Sequence, residues 1–132
     1  MTKLEELISA AVEMRSRAYS PYSRFTVGAA LECDDGTVFT GCNIENAAYS
    51  PTLCAERVAL GKAVSEGYTS FRRIAVAGGG PRPCVPCGVC RQMLLEFSPD
   101  MEVICIGECD NILTTTLREL LPFSFDSSFL PE

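Results

Sequence analysis

Two short segments of the sequence carry thiols, a carboxylate and a guanidinium at a spacing that suits a metal ion and proton transfer. Residues 54–57 read Cys-Ala-Glu-Arg, and residues 86–91 read Pro-Cys-Gly-Val-Cys-Arg. Two thiols three positions apart at a helix start can reach one metal, where the helix dipole favours thiolate over thiol. Three cysteine ligands leave the fourth position of zinc to water, as in catalytic sites. The spacing therefore predicts a zinc site made by Cys54, Cys87 and Cys90.

Glu56 is the candidate acid and base, because the sequence contains no histidine. A residue two positions after a ligand is about 200° away on a regular helix. Cys54 must therefore lie at the very end of its helix if Glu56 is to face the same metal. Glu56 could then take a proton from zinc-bound water and return it to the substrate without binding the metal. The alternative is that Glu56 is an ordinary first-turn glutamate, stabilised by the helix dipole and without a catalytic role. The neighbouring thiol of Cys54 favours the catalytic interpretation.

Arg57 follows Glu56 and could offset the negative charge of the site. Three thiolates on one Zn²⁺ make its water less acidic than three neutral imidazoles do. A guanidinium that bonds the sulfurs, together with two helix N-termini, would withdraw charge from them. We expect Arg57 to have this role, although the same pattern suits an exposed helix charge.

The other cysteines leave two further interpretations of the thiols. A fourth thiolate from Cys84 would close the zinc site and make it structural. The spacing of Cys84, Cys87 and Cys90 also resembles an iron–sulfur motif, but a Leu-Leu pair at residues 94 and 95 stands where its Cys-Pro belongs. For the remaining thiols we expect packing as small hydrophobic side chains; these are Cys33, Cys42, Cys105 and Cys109.

The elements that must position these residues can be predicted from hydrophobic spacing and from turn residues. Helices are predicted over residues 3–19, from 52 or 53 to 67, over 87–97, and from a Thr116 cap to 121. Strands are predicted over residues 25–31, 37–43, 74–77, 103–106 and 112–115, the first two joined at Asp35-Gly36. This order indicates one α/β domain over residues 1–132, a three-layer α/β/α sandwich whose mixed, mostly five-stranded sheet has helices on both faces.

Composition restricts the class of ligand. The chain has a net charge of −6 and is 47% hydrophobic, which argues against a nucleic-acid surface and suits a small, nearly neutral molecule. No run of residues resembles a secretory signal or a membrane span. Because the chain shows neither signal, its eight cysteines are expected to lie in a reducing compartment. We therefore expect a cytoplasmic protein that binds no membrane.

Together, the two segments resemble the signature of the zinc nucleoside deaminases, in the branch where cysteine replaces the first histidine ligand. Three more segments resemble the short, homotetrameric cytidine deaminases. They are 19–23 (Tyr-Ser-Pro-Tyr-Ser), 25–30 (Phe-Thr-Val-Gly-Ala-Ala) and 41–49 (Gly-Cys-Asn-Ile-Glu-Asn-Ala-Ala-Tyr). The resemblance extends over nearly the whole chain. It implies a hydrolase of pyrimidine salvage that converts cytidine and deoxycytidine to uridine and deoxyuridine with release of ammonia.

The resemblance also implies a role for individual residues. It implies one Zn²⁺ per subunit on the three cysteines, and Glu56 as the proton shuttle with zinc-bound water as the nucleophile. The implied contacts to a small nucleoside are the Ala55 amide on the pyrimidine carbonyl, Asn43 and Glu45 on the ribose hydroxyl, Phe25 against the base, and Phe125 from a neighbouring subunit. Phe123 is the alternative for that last aromatic. Without the resemblance, Asn43 and Glu45 equally suit a turn, and Phe25 suits the core.

Three alternative functions stay open at this point. A polynucleotide deaminase shares the motif, but it needs a basic groove that this acidic chain lacks. A zinc-stabilised interaction module would need only the clustered cysteines. A deaminase of a nucleoside antibiotic is the third, and the Asn-Ile-Glu-Asn-Ala-Ala-Tyr segment favours cytidine over it.

Overall fold

The fold was obtained as a computed structural model, which describes residues 1–131. A mixed sheet of five strands lies between two layers of helices. The helices are α1 (Lys3–Met14), α2 (Ala55–Ser65), α3 (Gly88–Leu95) and α4 (Leu117–Leu120), and the strands are β1 (Val27–Cys33), β2 (Val38–Cys42), β3 (Phe71–Gly78), β4 (Glu102–Ile106) and β5 (Ile112–Thr116). The order of the strands in the sheet is β2-β1-β3-β4-β5. Short 3-10 turns cover Arg15–Arg17 and Ser127–Phe129. The predicted α/β/α sandwich is confirmed.

Strand directions bring the candidate residues to one edge of the sheet. β1 is antiparallel to both β2 and β3, so β2 and β3 run in the same direction. The loops after β2 and β3, which lead into α2 and α3, therefore leave the sheet at the same edge. The start of β1 lies there too, because Val27 pairs with Gly78 and Gly28 pairs with Cys42. Parallel pairing of β3 with β4 needs a crossover, which α3 supplies.

The helix α1 is shorter than predicted. It begins at a capping box, in which the Thr2 hydroxyl accepts from the Glu5 amide at 3.1 Å and the Glu5 carboxylate accepts from the Thr2 amide at 3.4 Å. The predicted end at residue 19 is wrong, since the helix ends at Met14 and a 3-10 turn follows. The Tyr19 amide instead donates to the Asn43 carbonyl at 2.9 Å, which draws the chain along the end of β2.

The predicted start of β1 at residue 25 is also wrong, since the strand begins at Val27. The backbone of Phe25 bonds side chains in place of a neighbouring strand: its amide donates to Ser23 Oγ at 3.0 Å, and its carbonyl accepts from Asn43 Nδ2 at 2.8 Å. The aromatic residue therefore lies just outside the sheet.

Two glycines allow the helices to approach the sheet closely. A Cβ at Gly28 would lie 2.1 Å from the Ala11 carbonyl oxygen of α1. A Cβ at Gly41 would lie 2.3 Å from the Ala55 carbonyl oxygen of α2. Both distances are far below van der Waals contact, so each helix rests directly on strand backbone at that point.

The core has two parts, one on each face of the sheet. The larger part packs α2 and α3 on the sheet, and the smaller part packs α1 on the opposite face. Cys33 and Cys105 are fully buried, which confirms the prediction that they pack as apolar side chains. That prediction is wrong for Cys109, which is exposed in the turn between β4 and β5 with φ 60°. Cys42 is half-buried, and its thiol donates to the Arg17 carbonyl at 3.4 Å.

Within the described chain, no helix combines the length and the apolar character that a membrane crossing requires.

Candidate active site

Three cysteines meet where α2 and α3 begin. Cys54 and Cys87 are the N-cap residues of these helices and have extended backbones, with ψ of 153° and 169°. Cys90 lies in the first turn of α3 and is buried. The three Sγ atoms lie within 4.8 Å of one another, and those of Cys54 and Cys87 are 3.7 Å apart. The two helix N-termini thus bring together thiols that are 33 residues apart.

The sulfur geometry fits zinc. Tetrahedral zinc with Zn–S bonds of about 2.3 Å requires ligand sulfurs about 3.8 Å apart, close to the 3.7 Å between Cys54 and Cys87. Cys84 lines the adjoining cavity but is not part of the group of potential ligands within the described residues. The set of three leaves one tetrahedral position open, which is the arrangement that chemistry at the metal needs.

The surroundings of the sulfurs favour thiolate at Cys54. A hydrogen bond from Cys90 lowers the pKa of Cys54 below its ordinary value, and a hydrogen bond from Arg57 adds a smaller contribution in the same direction. The bond to Cys54 together with burial raises the pKa of Cys90. Arg57 Nη2 lies 3.7 Å from Cys54 Sγ and 3.2 Å from the Thr52 carbonyl oxygen. The guanidinium is therefore placed as the sequence analysis expects.

Glu56 is a buried carboxyl group beside the sulfurs. Its exposed fraction is 4%, and burial raises its pKa to about 7. Because Cys54 caps α2 from outside its regular turns, Glu56 as the second helical residue can share a cavity with the thiols. This is the orientation that the sequence analysis required. A carboxyl group with a pKa near neutrality can both accept and donate a proton at physiological pH.

A cavity of about 290 Å³ opens beside the sulfurs and the carboxyl group. Most residues that the resemblance assigns to substrate line it, namely Phe25, Asn43, Glu45, Ala55 and Glu56. As the first helical residue, Ala55 has an amide with no acceptor inside the helix, so the amide is available to a ligand. A second hollow of about 380 Å³ continues from this cavity and shares Ser23, Glu45 and Thr52 with it.

Hydrogen bonds hold the polar wall of the cavity. The Glu45 carboxylate accepts from the Tyr22 amide at 2.9 Å, from the Ser23 amide at 3.1 Å and from the Ser23 hydroxyl. The hydroxyl bond, with the two amide bonds, lowers the pKa of Glu45. Asn43 Oδ1 accepts from the Val27 amide at 2.9 Å while Nδ2 donates to Phe25. Glu45 is therefore an ionised hydrogen-bond acceptor, and Asn43 fixes the segment that carries Phe25.

Phe125 does not line the cavity of its own chain. Its carbonyl accepts from Gln92 Nε2 at 2.9 Å, and its ring stacks on Phe129 at 5.2 Å between centroids. Phe123 is fully exposed and has a left-handed backbone with φ 54°. Of the two candidate aromatics, Phe125 is the one that other side chains hold in place.

Sequence reasoning missed several lining residues. Ser23 supports Glu45 across 22 positions, and no local pattern in the sequence links the two. Thr52, Cys84 and Val85 also line the cavity. The last two immediately precede the Pro-Cys-x-x-Cys segment, so their nearness to Cys87 was the one signal available.

Comparison with known proteins adds independent information. Residues 1–106 match the family described as the cytidine and deoxycytidylate deaminase zinc-binding region. A cytidine deaminase of Sporosarcina psychrophila is 48% identical over 128 residues, which are 96% of this chain and 94% of the relative. A blasticidin-S deaminase of Bacillus cereus is 33% identical over 91% of this chain and 90% of the relative.

A solved structure supports the same relationship. The crystal structure of cytidine deaminase from Burkholderia pseudomallei superposes with a TM-score of 0.90 and 46% identity. The match covers 95% of this chain and 100% of that one. The chain and this solved structure therefore share the same fold over nearly their whole matched length.

Proposed function

The chain belongs to the family of cytidine and deoxycytidylate deaminases, and on that premise we propose how its residues carry out the reaction. It is a zinc-dependent hydrolase that converts cytidine and deoxycytidine to uridine and deoxyuridine with release of ammonia. One observation supports the assignment of roles most strongly. Glu56, with an exposed fraction of 4%, lines one cavity together with Cys54 and Cys87, and the sulfurs of these two residues and of Cys90 lie within 4.8 Å of one another.

Cys54, Cys87 and Cys90 would hold one zinc ion, with Arg57 compensating their charge. The bound ion lowers the pKa of a water molecule toward neutrality and so supplies a nucleophile for C4 of the base. The protein's part is to orient the base, exclude bulk water and move protons. Burial of Glu56 assists proton transfer, because it keeps the pKa of the carboxyl group close to the working pH.

Glu56 acts as base and then as acid. It removes one proton from the attacking water and delivers it to ring N3, so that addition at C4 leaves no anionic ring. It then takes the proton of the new hydroxyl group and passes it to the amino nitrogen as the C4–N bond breaks. One water enters and one ammonia leaves, and the carboxylate ends in its starting state.

The nucleoside is oriented by contacts at both of its ends. The Ala55 amide donates to the pyrimidine carbonyl, and Phe25 packs against the base. The Glu45 carboxylate accepts from a ribose hydroxyl, and Asn43 retains one amide proton for the same sugar. The ionised Glu45 would repel a phosphate, so a free nucleoside suits this wall better than a nucleotide.

The test of this assignment compares the wild type with Glu56→Gln. The decay of the cytidine absorbance band measures turnover, and metal analysis gives the zinc content. We expect full zinc and a loss of turnover of roughly a thousandfold. Glu66→Gln is the matched control, since Glu66 is an exposed glutamate at the other end of α2. Full activity of the Glu56 variant would remove the carboxyl group from the mechanism.

The blasticidin-S deaminase among the relatives makes an antibiotic nucleoside the second candidate substrate. Competition between cytidine and blasticidin S for the enzyme distinguishes the two. We expect cytidine to have the higher kcat/KM, because Asn43 and Glu45 line the cavity where its sugar would lie.

We also propose a cytoplasmic homotetramer. Apolar side chains are exposed along α3 and in the tail, among them Val89, Met93, Phe125 and Phe129. Apolar patches of this kind on a small protein mark contact surfaces. In the described chain none of the eight cysteines forms a disulfide, which suits a reducing compartment. Phe125 would then complete the site of a neighbouring subunit.

A further inference from the structure

The Phe25 ring is held by contacts outside the regular sheet. Phe25 follows Arg24, whose backbone is left-handed at φ 59°, and the backbone of Phe25 bonds the side chains of Ser23 and Asn43. An aromatic ring in such a segment keeps one orientation only if its neighbours fix it. The residue after it, Thr26, is bound by a side chain that does not line the cavity.

That side chain is Arg15, in the 3-10 turn that follows α1. Its Nε donates to Thr26 Oγ1 at 3.1 Å, and the side chain is 26% exposed. Arg15 can reach Thr26 because Gly28 lets the end of α1 rest on β1. A Cβ at Gly28 would lie 2.8 Å from the Arg15 amide nitrogen.

The same guanidinium also contacts the loop beside the Phe25 ring. A Cβ at Gly79 would lie 2.9 Å from Arg15 Nη2, so the guanidinium lies against this glycine. Arg15 Nη2 lies 3.8 Å from Glu108 Oε2, and the Glu108 amide donates to the Gly80 carbonyl at 2.9 Å. The guanidinium thus lies beside the loop of residues 78–80 and is connected to it through Glu108.

This glycine loop supports the ring itself. A Cβ at Gly78 would lie 2.9 Å from Phe25 Cζ, and a Cβ at Gly80 would lie 3.7 Å from Phe25 Cε1. Arg15 therefore connects the residue next to Phe25 with the loop that the ring contacts. Displacing the guanidinium would free both at once.

We propose that Arg15 is a positioning residue that sets the orientation of the Phe25 ring and thereby the affinity of the site for an aromatic base. Ring packing depends on the angle and offset of the partners, so a freely rotating ring binds a base less well. The inference rests on the proposed function, because its readout is binding of a pyrimidine nucleoside. It assigns α1 and its turn a role in substrate affinity.

The experiment uses the zinc-loaded enzyme and the variants Arg15→Met, Thr26→Val and their double mutant. We expect either single change to raise KM for cytidine about five- to tenfold, with kcat changed less than about twofold. Zinc content should stay at the wild-type value. The double mutant should be no worse than the poorer single one, because both changes remove the same link.

Arg17→Met is the matched control. Arg17 lies in the same 3-10 turn, carries the same charge and is exposed, and within residues 1–131 its side chain makes no hydrogen bond or ion pair. Its KM should equal that of the wild type. If Arg15→Met does not fold, Thr26→Val alone decides, since it only replaces a hydroxyl group by a methyl group.

Inhibition by the product uridine and by its ring-reduced analogue 5,6-dihydrouridine separates ring positioning from general damage to the site. Uridine has an aromatic ring, whereas 5,6-dihydrouridine does not, and both present the same sugar. We expect Arg15→Met to raise the inhibition constant of uridine at least about threefold more than that of 5,6-dihydrouridine. The proposal would be overturned if Arg15→Met weakened inhibition by the two compounds equally or left KM for cytidine unchanged. Additive effects on KM in the double mutant would also overturn it. A wild type that does not deaminate cytidine would instead refute the proposed function.

Discussion

Arg91 Nε donates a 2.7 Å hydrogen bond to the carbonyl oxygen of Pro86, the residue immediately before Cys87. The same guanidinium donates through Nη1 to the Leu120 carbonyl at the end of α4, at 2.8 Å. One partly buried side chain thus joins the segment that presents a sulfur to the helix that leads into the tail. A lysine at this position could not bond both carbonyl groups in the same fixed geometry.

Arg91→Lys should therefore weaken zinc binding without removing a ligand. Loss of a partner that orients a ligand typically costs about tenfold or more in metal affinity. Competition with a chromophoric chelator measures that affinity. Arg118→Lys is the control, because Arg118 forms an exposed ion pair with Asp100 at 2.8 Å that should matter little. Equal zinc affinity in both variants would show that Arg91 has no part in holding Cys87.

Cys84→Ala should keep one zinc ion per chain. Cys84 is not part of the sulfur group, and burial raises the pKa of its thiol to about 12, so it stays protonated at neutral pH. Cys90→Ala should lose zinc, because it removes one of the three sulfurs. Metal analysis after gel filtration compares the two variants. A Cys84 variant that purifies without zinc would instead support a structural zinc site with Cys84 as the fourth ligand.

The buried thiol of Cys33 should make stability depend on pH in the alkaline range. Burial raises its pKa from 9.0 to about 11 in the folded chain. Between these values the unfolded state loses the proton while the native state keeps it. The contribution to the free energy of unfolding is therefore complete below pH 9 and falls as pH rises toward 11.

Urea unfolding of wild type and Cys33→Ala at pH 8 and pH 10.5 tests this. At fixed zinc concentration, the stability advantage of the wild type should shrink by about 2 kcal/mol at the higher pH. An unchanged difference between the two proteins would mean that Cys33 ionises equally in both states.

Phe125→Ala should raise KM for cytidine by roughly tenfold, whereas Phe123→Ala should behave as wild type. Phe125 is held by Gln92 and by its stack on Phe129, while Phe123 is fully exposed. Steady-state kinetics together with light scattering, which gives the number of subunits, measures both effects. The reverse order of the two variants would identify Phe123 as the shared aromatic.

The order of helices and strands was predictable because each element has a hydrophobic repeat and a clear end signal. The Thr116 cap and the Asp35-Gly36 turn lie where the sequence placed them. The errors fall where the backbone bonds distant residues, as Tyr19 bonds the Asn43 carbonyl and Phe25 bonds the Asn43 side chain. Local propensity contains no information about a partner 18 positions away.

For the site, the sequence predicted the cysteines and Glu56 because they cluster in two short motifs, and the structure brings the three thiols together. It also required Cys54 to lie at a helix end, and the structure has it as an N-cap. It could not show how Arg15, Thr26 and the glycine loop surround Phe25. Those contacts depend on how closely α1 approaches β1, which only the packed structure determines.

The absence of a side chain at Gly41 has a consequence for engineering this protein. A methyl group there would meet the Ala55 carbonyl at 2.3 Å and would push the start of α2, with its sulfur and carboxyl group, away from β2. In a saturation library selected for activity, codon 41 should therefore tolerate almost no replacement, as if it encoded a residue in contact with substrate. Remodelling of the pocket by directed evolution would begin from variants that leave this codon untouched.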